Sequence, residues 1–261
     1  MEARLIPWPL VNLWSCVEKN NSMKLKILFL LIFSSLYSNA QSNFVFIELF
    51  TSQGDETSPV AEEILYRTVA QEKKNGTKIV VLEYHVDYWN RLGWKDPLSK
   101  FHFTKRQENY SRVLAEKELY TPEVVINGTT SFSGTKETTL KEEIKKASLQ
   151  TIQFDFTVSK DSIANDTLYI TYATKQANQN AVFRFAITES GISTKIGAGE
   201  NSNKTLVNNY VVRLLHSSDG IKKSTQVKVP VKGIKFNSNV EMIAFVQSKQ
   251  SMKILGVKYL K

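Results

Sequence analysis

The sequence predicts an α/β domain, with a mixed sheet and flanking helices, over residues 43–149, followed by an all-β sandwich-like domain over residues 150–261. Two observations lead to this fold class. The first part alternates strand and helix patterns, and from about residue 150 the apolar residues change to period-two alternation. The chain has 261 residues, 42% of them hydrophobic and 23% charged, which is enough for one large or two modest globular domains.

The first part opens with a strand-helix-strand unit. Residues 44–50, FVFIELF, form a nearly continuous apolar run, which is typical of a strand buried on both faces of a sheet. A polar loop follows, and apolar residues then recur at helical spacing from Pro59 to a cap at Asn75-Gly76. A second strand is predicted over residues 78–86, and this order implies parallel strands with a right-handed crossover.

Two further helices and a hairpin complete the first part. Helices are predicted over residues 101–117 and 136–148, on either side of a strand that begins after Pro122. The dipeptide Asn127-Gly128 is a strong short-range signal for a tight turn. We therefore expect this strand to pair with the next one as a hairpin.

About seven short strands are predicted in the second part. The alternation begins at Ile152 and Phe154. The later strand patterns lie near residues 168–172, 183–187, 206–214, 226–232, 240–247 and 253–259. Short strands separated by turn signals are typical of an antiparallel sandwich.

Residues 23–40 have the pattern of a signal peptide. Lys24 and Lys26 precede an apolar run, and small residues then lead to a cleavage site after Ala40. The run has about half the length that a membrane-spanning helix needs, so no membrane span is predicted in the mature chain. The protein is therefore expected to be exported from a bacterial cell, either to the periplasm or to the extracellular space.

The single cysteine of the chain, Cys16, precedes this signal peptide. Since Met23 can open the signal peptide, residues 1–22 are interpreted as an over-extended start of the sequence. Cleavage after Ala40 leaves no cysteine in the mature chain. This excludes disulfides and dithiol redox catalysis, although the destination of an exported protein permits disulfides.

The charge distribution argues against a nucleic-acid partner. Residues 1–40 contain four basic and two acidic residues, which leaves a formal net charge of about +7 on the remainder. The lysines are scattered among acidic residues, and no basic motif interleaved with aromatic residues is present. We expect a protein, peptide or small-molecule ligand, whose identity the sequence leaves open.

Several blocks of sequence, spread over both parts of the chain, resemble one family. They are ELFTSQG (48–54), HVDYW (85–89), GWKDP (93–97), YTP (120–122), VING (125–128), GEN (199–201) and VVR (211–213). These blocks are similar to those of a secreted thioredoxin-like family of unknown function, domain of unknown function 1223. The resemblance implies a thioredoxin-like fold for residues 43–149. It also implies that Pro122 takes the place of the cis-proline beside thioredoxin-type active sites.

The chain departs from the family pattern in the loop that carries the redox chemistry. Where the family typically has Cys-Ser-Ser-Cys-Pro, this chain has Asp55-Glu56-Thr57-Ser58-Pro59. In a redox-active site one thiolate attacks a disulfide and a second thiol resolves the intermediate, and neither Asp55 nor Ser58 can do this. Both can accept hydrogen bonds at the start of a helix, so we predict a structural role and no catalytic one.

Alternation along the second strand places Glu83, His85 and Asp87 on one face. One interpretation is an acid/base or metal site built from His85 and Asp87, with Asp55 or His102. The other is that His85 and Asp87 hydrogen-bond each other and order the loop that follows. We favour the second, because no ligand spacing supports a defined metal site, and we predict neither metal nor cofactor.

The loop after the second strand carries Tyr88, Trp89 and Trp94. These side chains either form an apolar recognition groove or pack down as a cover for the core. Both alternatives fit the sequence equally.

The leading functional hypothesis is an exported, redox-inactive thioredoxin-like protein that binds an extended peptide or a small ligand. The residues expected to contact the ligand are Gln53, Asp55, Ser58, His85, Asp87, Trp89, Trp94, Thr121 and Pro122. One alternative is a thiol-independent enzyme acting through His85 and Asp87. Another is a structural envelope protein that acts through its β-sandwich.

Overall fold

The computed structural model describes residues 43–151 and 154–260. The predicted over-extended start at 1–22, the signal peptide at 23–40 with its cleavage site, and Ile152 lie outside the described residues. The predictions made for those segments therefore stay predictions.

The first part forms the elements that its sequence patterns predict. They are β1 (Val45–Thr51), α1 (Ser58–Lys74), β2 (Ile79–His85), a 3₁₀ helix (Tyr88–Leu92), α2 (Phe101–Leu114), β3 (Glu123–Ile126), β4 (Thr130–Ser133) and α3 (Glu137–Ser148). β1 is buried along its whole length, as its apolar run predicts. α2 ends three residues earlier than expected, because Ala115 adopts a left-handed conformation that terminates the helix.

Nine strands are described in the second part, against about seven predicted. They are β5 (Phe156–Ala164), β6 (Thr167–Thr174), β7 (Asn178–Glu189), β8 (Ile192–Lys195), β9 (Thr205–Asn208), β10 (Val211–Ile221), β11 (Ser224–Pro230), β12 (Val240–Ser248) and β13 (Ile254–Leu260). The segment 206–214, predicted as one strand, is divided between β9 and β10. Tyr210, at a φ of 56°, interrupts the extended conformation there.

Four of these strands continue the sheet of the first part. The large sheet has the strand order β13-β12-β7-β10-β2-β1-β3-β4. β1 and β2 are parallel, β3 is antiparallel to β1, and β10 joins β2 through the pair Val211 and Glu83. The expected boundary at residues 149–150 therefore does not separate two sheets.

Two smaller sheets complete the fold, one of three strands in the order β11-β6-β5 and one formed by β8 and β9. The three-stranded sheet packs on the part of the large sheet that contains β12, β7 and β10. Ile170 and Tyr172 of β6 share a buried cluster there with Phe183 and Phe185 of β7. The Tyr172 and Phe183 rings are stacked with centroids 4.4 Å apart.

Both faces of β1 are covered by helices. Ile47 and Leu49 pack with residues of α1 and α3 on one face. Phe46 and Phe50 pack with α2 on the other, where Phe103 and Tyr110 are buried. This alternation fixes the carboxyl ends of β1 and β2 from both sides, and the candidate site lies at these ends.

Among the helices of residues 43–151 and 154–260, none combines the length and hydropathy needed to cross a membrane.

Candidate functional site

The candidate site lies where β1 and β2 end and the chain enters α1 and the 3₁₀ helix. Ligand sites of open α/β sheets collect at this edge. The structure connects six of the nine expected ligand-contacting residues here by hydrogen bonds, namely Gln53, Asp55, Ser58, His85, Trp94 and Thr121. Pro122 follows Thr121 directly, and the peptide bond between them is cis.

Asp55 is the centre of the loop for which the family resemblance implies two cysteines. Its Oδ1 accepts hydrogen bonds from the Thr57 amide at 3.0 Å and the Thr57 hydroxyl at 2.9 Å. Its Oδ2 accepts from the hydroxyls of Ser58 at 2.6 Å and Thr121 at 2.8 Å. The prediction that Ser58 caps this helix is wrong, because Thr57 occupies the N-cap position and Ser58 is the first helical residue. The Asp55 carboxylate therefore satisfies an amide at the start of α1, as the sequence predicts.

Gln53 links this loop to distant parts of the chain. Its main-chain N–H donates to Asp96 Oδ2 at 2.9 Å, and its side-chain amide donates to Asn208 at 2.9 Å. The indole N–H of Trp94 donates to Gln53 Oε1 at 3.2 Å. Asn201 donates to the main-chain carbonyls of both Gln53 and Asp55, at 3.0 and 2.9 Å. The loop conformation is thus fixed by residues of the second part of the chain.

His85 is buried between two carboxyl groups. Its Nδ1 lies 2.7 Å from Asp96 Oδ2 and its Nε2 lies 3.0 Å from Glu83 Oε1. Burial disfavours the imidazolium form, but the charges and hydrogen bonds of Asp96 and Glu83 outweigh burial and raise the pKa of His85 to about 10. Burial likewise opposes ionisation of Asp96, whereas His85 favours it and the pKa of Asp96 is lowered. His85 is therefore a buried cation at neutral pH.

The prediction that His85 and Asp87 form a hydrogen bond with each other is wrong. β2 ends at His85, so the alternation of the strand does not extend to Asp87. Asp87 instead occupies the N-cap position of the 3₁₀ helix. Its Oδ1 accepts a hydrogen bond from the Thr104 hydroxyl of α2 at 2.6 Å, so Asp87 orders the loop through α2.

His85 is closed to a substrate in this geometry. Both ring nitrogens of His85 are engaged and its side chain is fully buried, so it has no open position for a substrate proton. Across residues 43–151 and 154–260, no group of three or more His, Cys, Asp or Glu side chains is placed to hold a metal ion.

Three residues that the sequence analysis did not select enlarge the network. Glu62 of α1 accepts hydrogen bonds from Thr51 at 2.6 Å and Asn208 at 2.9 Å. Burial and the nearby Glu83 raise the pKa of Glu62 well above its ordinary value. Tyr66 donates to Glu83 at 2.5 Å. Glu62 could have been noticed from its position on the buried stripe of α1, but Asn208 gives no local signal.

The aromatic loop packs down on the protein. Trp94 contacts Gly197 and Gly199, where an added Cβ would lie 3.4 and 3.3 Å from the Trp94 side chain. Trp89 lies over Gly54 in the same way, since a Cβ added at Gly54 would lie 3.3 Å from the Cβ of Trp89. Of the two alternatives left open by the sequence, the structure thus favours a cover over the core for these two tryptophans.

Several polar groups near the site lack a partner within the described part of the chain. The Tyr88 hydroxyl lies near Gln107 and Thr121. Tyr88 Oη, Trp89 Nε1 and Gln107 Oε1 are buried and form no hydrogen bond to described residues. The main-chain N–H and C=O of Thr121 also form no hydrogen bond to described residues. Of these groups, the main-chain N–H and C=O of the partly exposed Thr121 remain for a ligand next to the Asp55 loop.

Comparison with known proteins assigns the chain to a family. Its structure is similar to that of protein AGR_C_4864 from Agrobacterium tumefaciens, with a TM-score of 0.59 and 25% identity, over 83% of this chain and 93% of that chain. A domain of the outer membrane lipoprotein Omp28 from Porphyromonas gingivalis gives a TM-score of 0.21 and 16% identity, over 42% of this chain and 87% of that chain.

No curated protein sequence matches the chain. The model of the family described as "Protein of unknown function (DUF1223)" matches residues 46–247, and the chain therefore belongs to this family.

Proposed function

We propose that the protein is an exported, redox-inactive thioredoxin-like protein that binds an extended peptide beside the Thr121-Pro122 edge. The observation that carries this proposal is the contact of Asp55 with both Ser58 and Thr121. It brings the two positions of the family's cysteines to the Thr-Pro segment, as in a thioredoxin-type site, but with groups that cannot exchange disulfides.

The topology of the first part supports the thioredoxin-like assignment. The strand order β2-β1-β3-β4 combines a parallel β1/β2 pair with antiparallel β3 and β4. α1 and α3 lie on one face of this sheet and α2 lies on the other. The strands β7, β10, β12 and β13 are then an extension that begins at the outer edge of β2.

An extended peptide suits the polar groups at the edge. A peptide main chain can pair with the Thr121 N–H and C=O, because strand addition uses main-chain hydrogen bonds for affinity. A small ligand that accepts the same hydrogen bonds is the alternative occupant.

Two cysteines introduced together test the thioredoxin-like part of the proposal. Since the side chains of Asp55 and Ser58 are in contact, Asp55→Cys combined with Ser58→Cys should form a disulfide on mild oxidation. The double variant should then catalyse the reduction of insulin by dithiothreitol, whereas the natural chain should not. A double variant that folds but keeps two free thiols under oxidising conditions would contradict the assignment.

Peptide binding is tested at the main chain of Thr121. The natural chain is screened against an immobilised library of unstructured peptides, and the ¹⁵N-labelled chain is then titrated with a selected peptide while the amide shifts are followed by NMR. We expect the amide of Thr121 to shift, because strand addition uses main-chain hydrogen bonds, whereas the amide of the distant Tyr259 should stay unchanged. A bound peptide that leaves the Thr121 amide unshifted would exclude this surface.

Export is tested separately by N-terminal sequencing of the protein recovered from cell fractions. The signal peptide predicts Gln41 as the first residue of the mature chain. Recovery of the intact leader on protein from the cytoplasmic fraction alone would contradict export.

A further inference from the structure

Arg184 of β7 is half-buried, and its guanidinium group is held at two points. Its Nε donates to Gln247 Oε1 at 2.8 Å, and its Nη1 donates to the Ser217 hydroxyl at 2.6 Å. Gln247 Oε1 also accepts a hydrogen bond from Arg106 of α2 at 3.1 Å, so two guanidinium groups lie close together. Because these bonds fix the Arg184 side chain, an anion that binds it would immobilise little further.

The charges around Arg184 do not balance. Glu48, the carboxylate of this cluster, pairs with Arg106 at 2.7 Å. Asp219, the acidic residue of β10, pairs with Lys249 at 2.7 Å. Within the described residues Arg184 itself forms no salt bridge. Burial and the nearby Arg106 lower the pKa of Arg184 to about 10, so Arg184 is a cation at neutral pH that lacks a counter-ion.

The outer side of this guanidinium group is open to solvent. Its Nη2 forms no hydrogen bond to described residues, and it is not one of the buried unpartnered atoms in that part of the chain. A guanidinium group has five N–H donors, so three of those of Arg184 remain. The neighbouring Ser217 is exposed. Its hydroxyl accepts from Arg184 and donates no hydrogen bond to described residues, which leaves a further donor beside the three N–H groups.

We propose that Arg184 and Ser217 bind the carboxylate group of a small organic acid. The planar N–H groups of Arg184 match the two oxygens of a carboxylate, and the Ser217 hydroxyl donates a further hydrogen bond. Arg106, Glu48 and Arg184 together carry one positive charge in excess. A single carboxylate balances this charge, whereas a neutral ligand leaves it uncompensated and a doubly charged anion exceeds it.

Acetate and acetamide form a matched pair of probes, because they are similar in size and shape and differ in charge. The full chain, labelled with ¹⁵N, is titrated with each probe at constant ionic strength and neutral pH. The side-chain Nε–H of Arg184 and the amide of Ser217 are followed by NMR. We expect acetate to shift both signals with a dissociation constant on the order of 10 mM, as a ligand of four heavy atoms allows. Acetamide should bind at least about tenfold more weakly, and sulfate should bind more weakly than acetate.

Two variants with the same substitution locate the site. Ser217→Asp places a carboxylate beside Arg184, so it should occupy the position of the ligand and abolish the shifts that acetate causes. Ser193→Asp, at an exposed position in the separate sheet of β8 and β9, adds the same charge elsewhere and should leave acetate binding unchanged. Arg184→Gln should weaken acetate binding about tenfold or more, since it removes the charged donor.

Three results would overturn the proposal. Equal affinities for acetate and acetamide would show that the charge of Arg184 does not select the ligand. Tighter binding of sulfate than of acetate would assign the site to another class of anion. Acetate binding that survives Ser217→Asp would place the ligand elsewhere. Both serine positions are exposed, so this comparison decides the matter even if Arg184→Gln fails to fold. The double-cysteine variant and the peptide titration concern other residues, so the two proposals fail independently.

Discussion

Raising the pH from 6.5 towards 10 should destabilise the protein through His85. In an unfolded chain His85 has a pKa of about 6.5, whereas burial between Asp96 and Glu83 gives it a pKa of about 10 in the fold. The folded protein therefore holds one more proton than the unfolded chain throughout this interval. The free energy of unfolding should fall by about 1.4 kcal/mol for each pH unit.

Integrated over the interval, this slope amounts to about 5 kcal/mol, which is comparable with the whole stability of many domains. The contribution is fully present below pH 6.5 and is lost as the pH rises through the folded pKa. The pKa of Glu62 is also raised by burial, so Glu62 likewise lowers the stability as the pH rises, beginning at a lower pH than His85. The lowered pKa of Asp96 changes the stability only below about pH 4, and the lowered pKa of His216 changes it only below about pH 6.5. Both effects lie outside the interval from pH 6.5 to 10.

The assay is urea unfolding at half-unit steps from pH 6.5 to 9.5 at constant ionic strength. The natural chain should lose stability steadily, and His216→Gln should show the same slope. His85→Gln should be less stable at pH 6.5 by about 3–5 kcal/mol, because it leaves carboxyl groups buried without their cation. Its slope should be lost or much reduced. A natural chain of constant stability over this range, or an unchanged slope in His85→Gln, would refute this account of the buried histidine.

Three substitutions test other parts of the fold by urea unfolding at pH 7. Arg106→Met should lower the free energy of unfolding by about 3–5 kcal/mol, because it removes the cation that lies 2.7 Å from the buried Glu48. Adding Glu48→Gln should restore part of this loss, and no recovery would contradict the reasoning. Gly128→Ala should lower the free energy of unfolding by more than about 2 kcal/mol, since φ is +71° and the new Cβ would lie 2.1 Å from the main-chain oxygen of Met252. A change below about 1 kcal/mol would contradict this. Asn201→Ala should cost about 2–3 kcal/mol by leaving two loop carbonyls without their donor, whereas a neutral effect would mean that Asn201 does not order the loop.

The first part of the fold could be predicted because its signals are local. The apolar run of β1, the helical spacing of α1 and the Asn127-Gly128 turn each depend on neighbouring residues. The pairing of β10 with β2 depends instead on a contact between Val211 and Glu83, which are 128 positions apart. Period-two alternation identifies such a strand but does not select its partner, which is why an extension of the first sheet was not expected.

The residues of the candidate site also differ in whether local sequence signals could predict them. The loop residues Asp55 and Ser58 were found because their positions relative to the start of α1 can be read from the sequence. The partner of His85 was not, because the end of β2 redirects the chain and brings Asp96, eleven residues later, to the imidazole. Asn208 is farther still, and its contact with Gln53 exists only once β9 has packed near α1.

The hydrogen bonds of Asp55 have a consequence for the proposed peptide site. The family resemblance implies two cysteines in this loop, whereas here one carboxylate holds Thr57, Ser58 and Thr121 together. Because these bonds fix the loop and the Thr121 side chain before any ligand arrives, a peptide that pairs with the Thr121 main chain would lose less entropy on binding. For the proposed binding function, Asp55 and Ser58 thus supply a preorganised edge without a thiol.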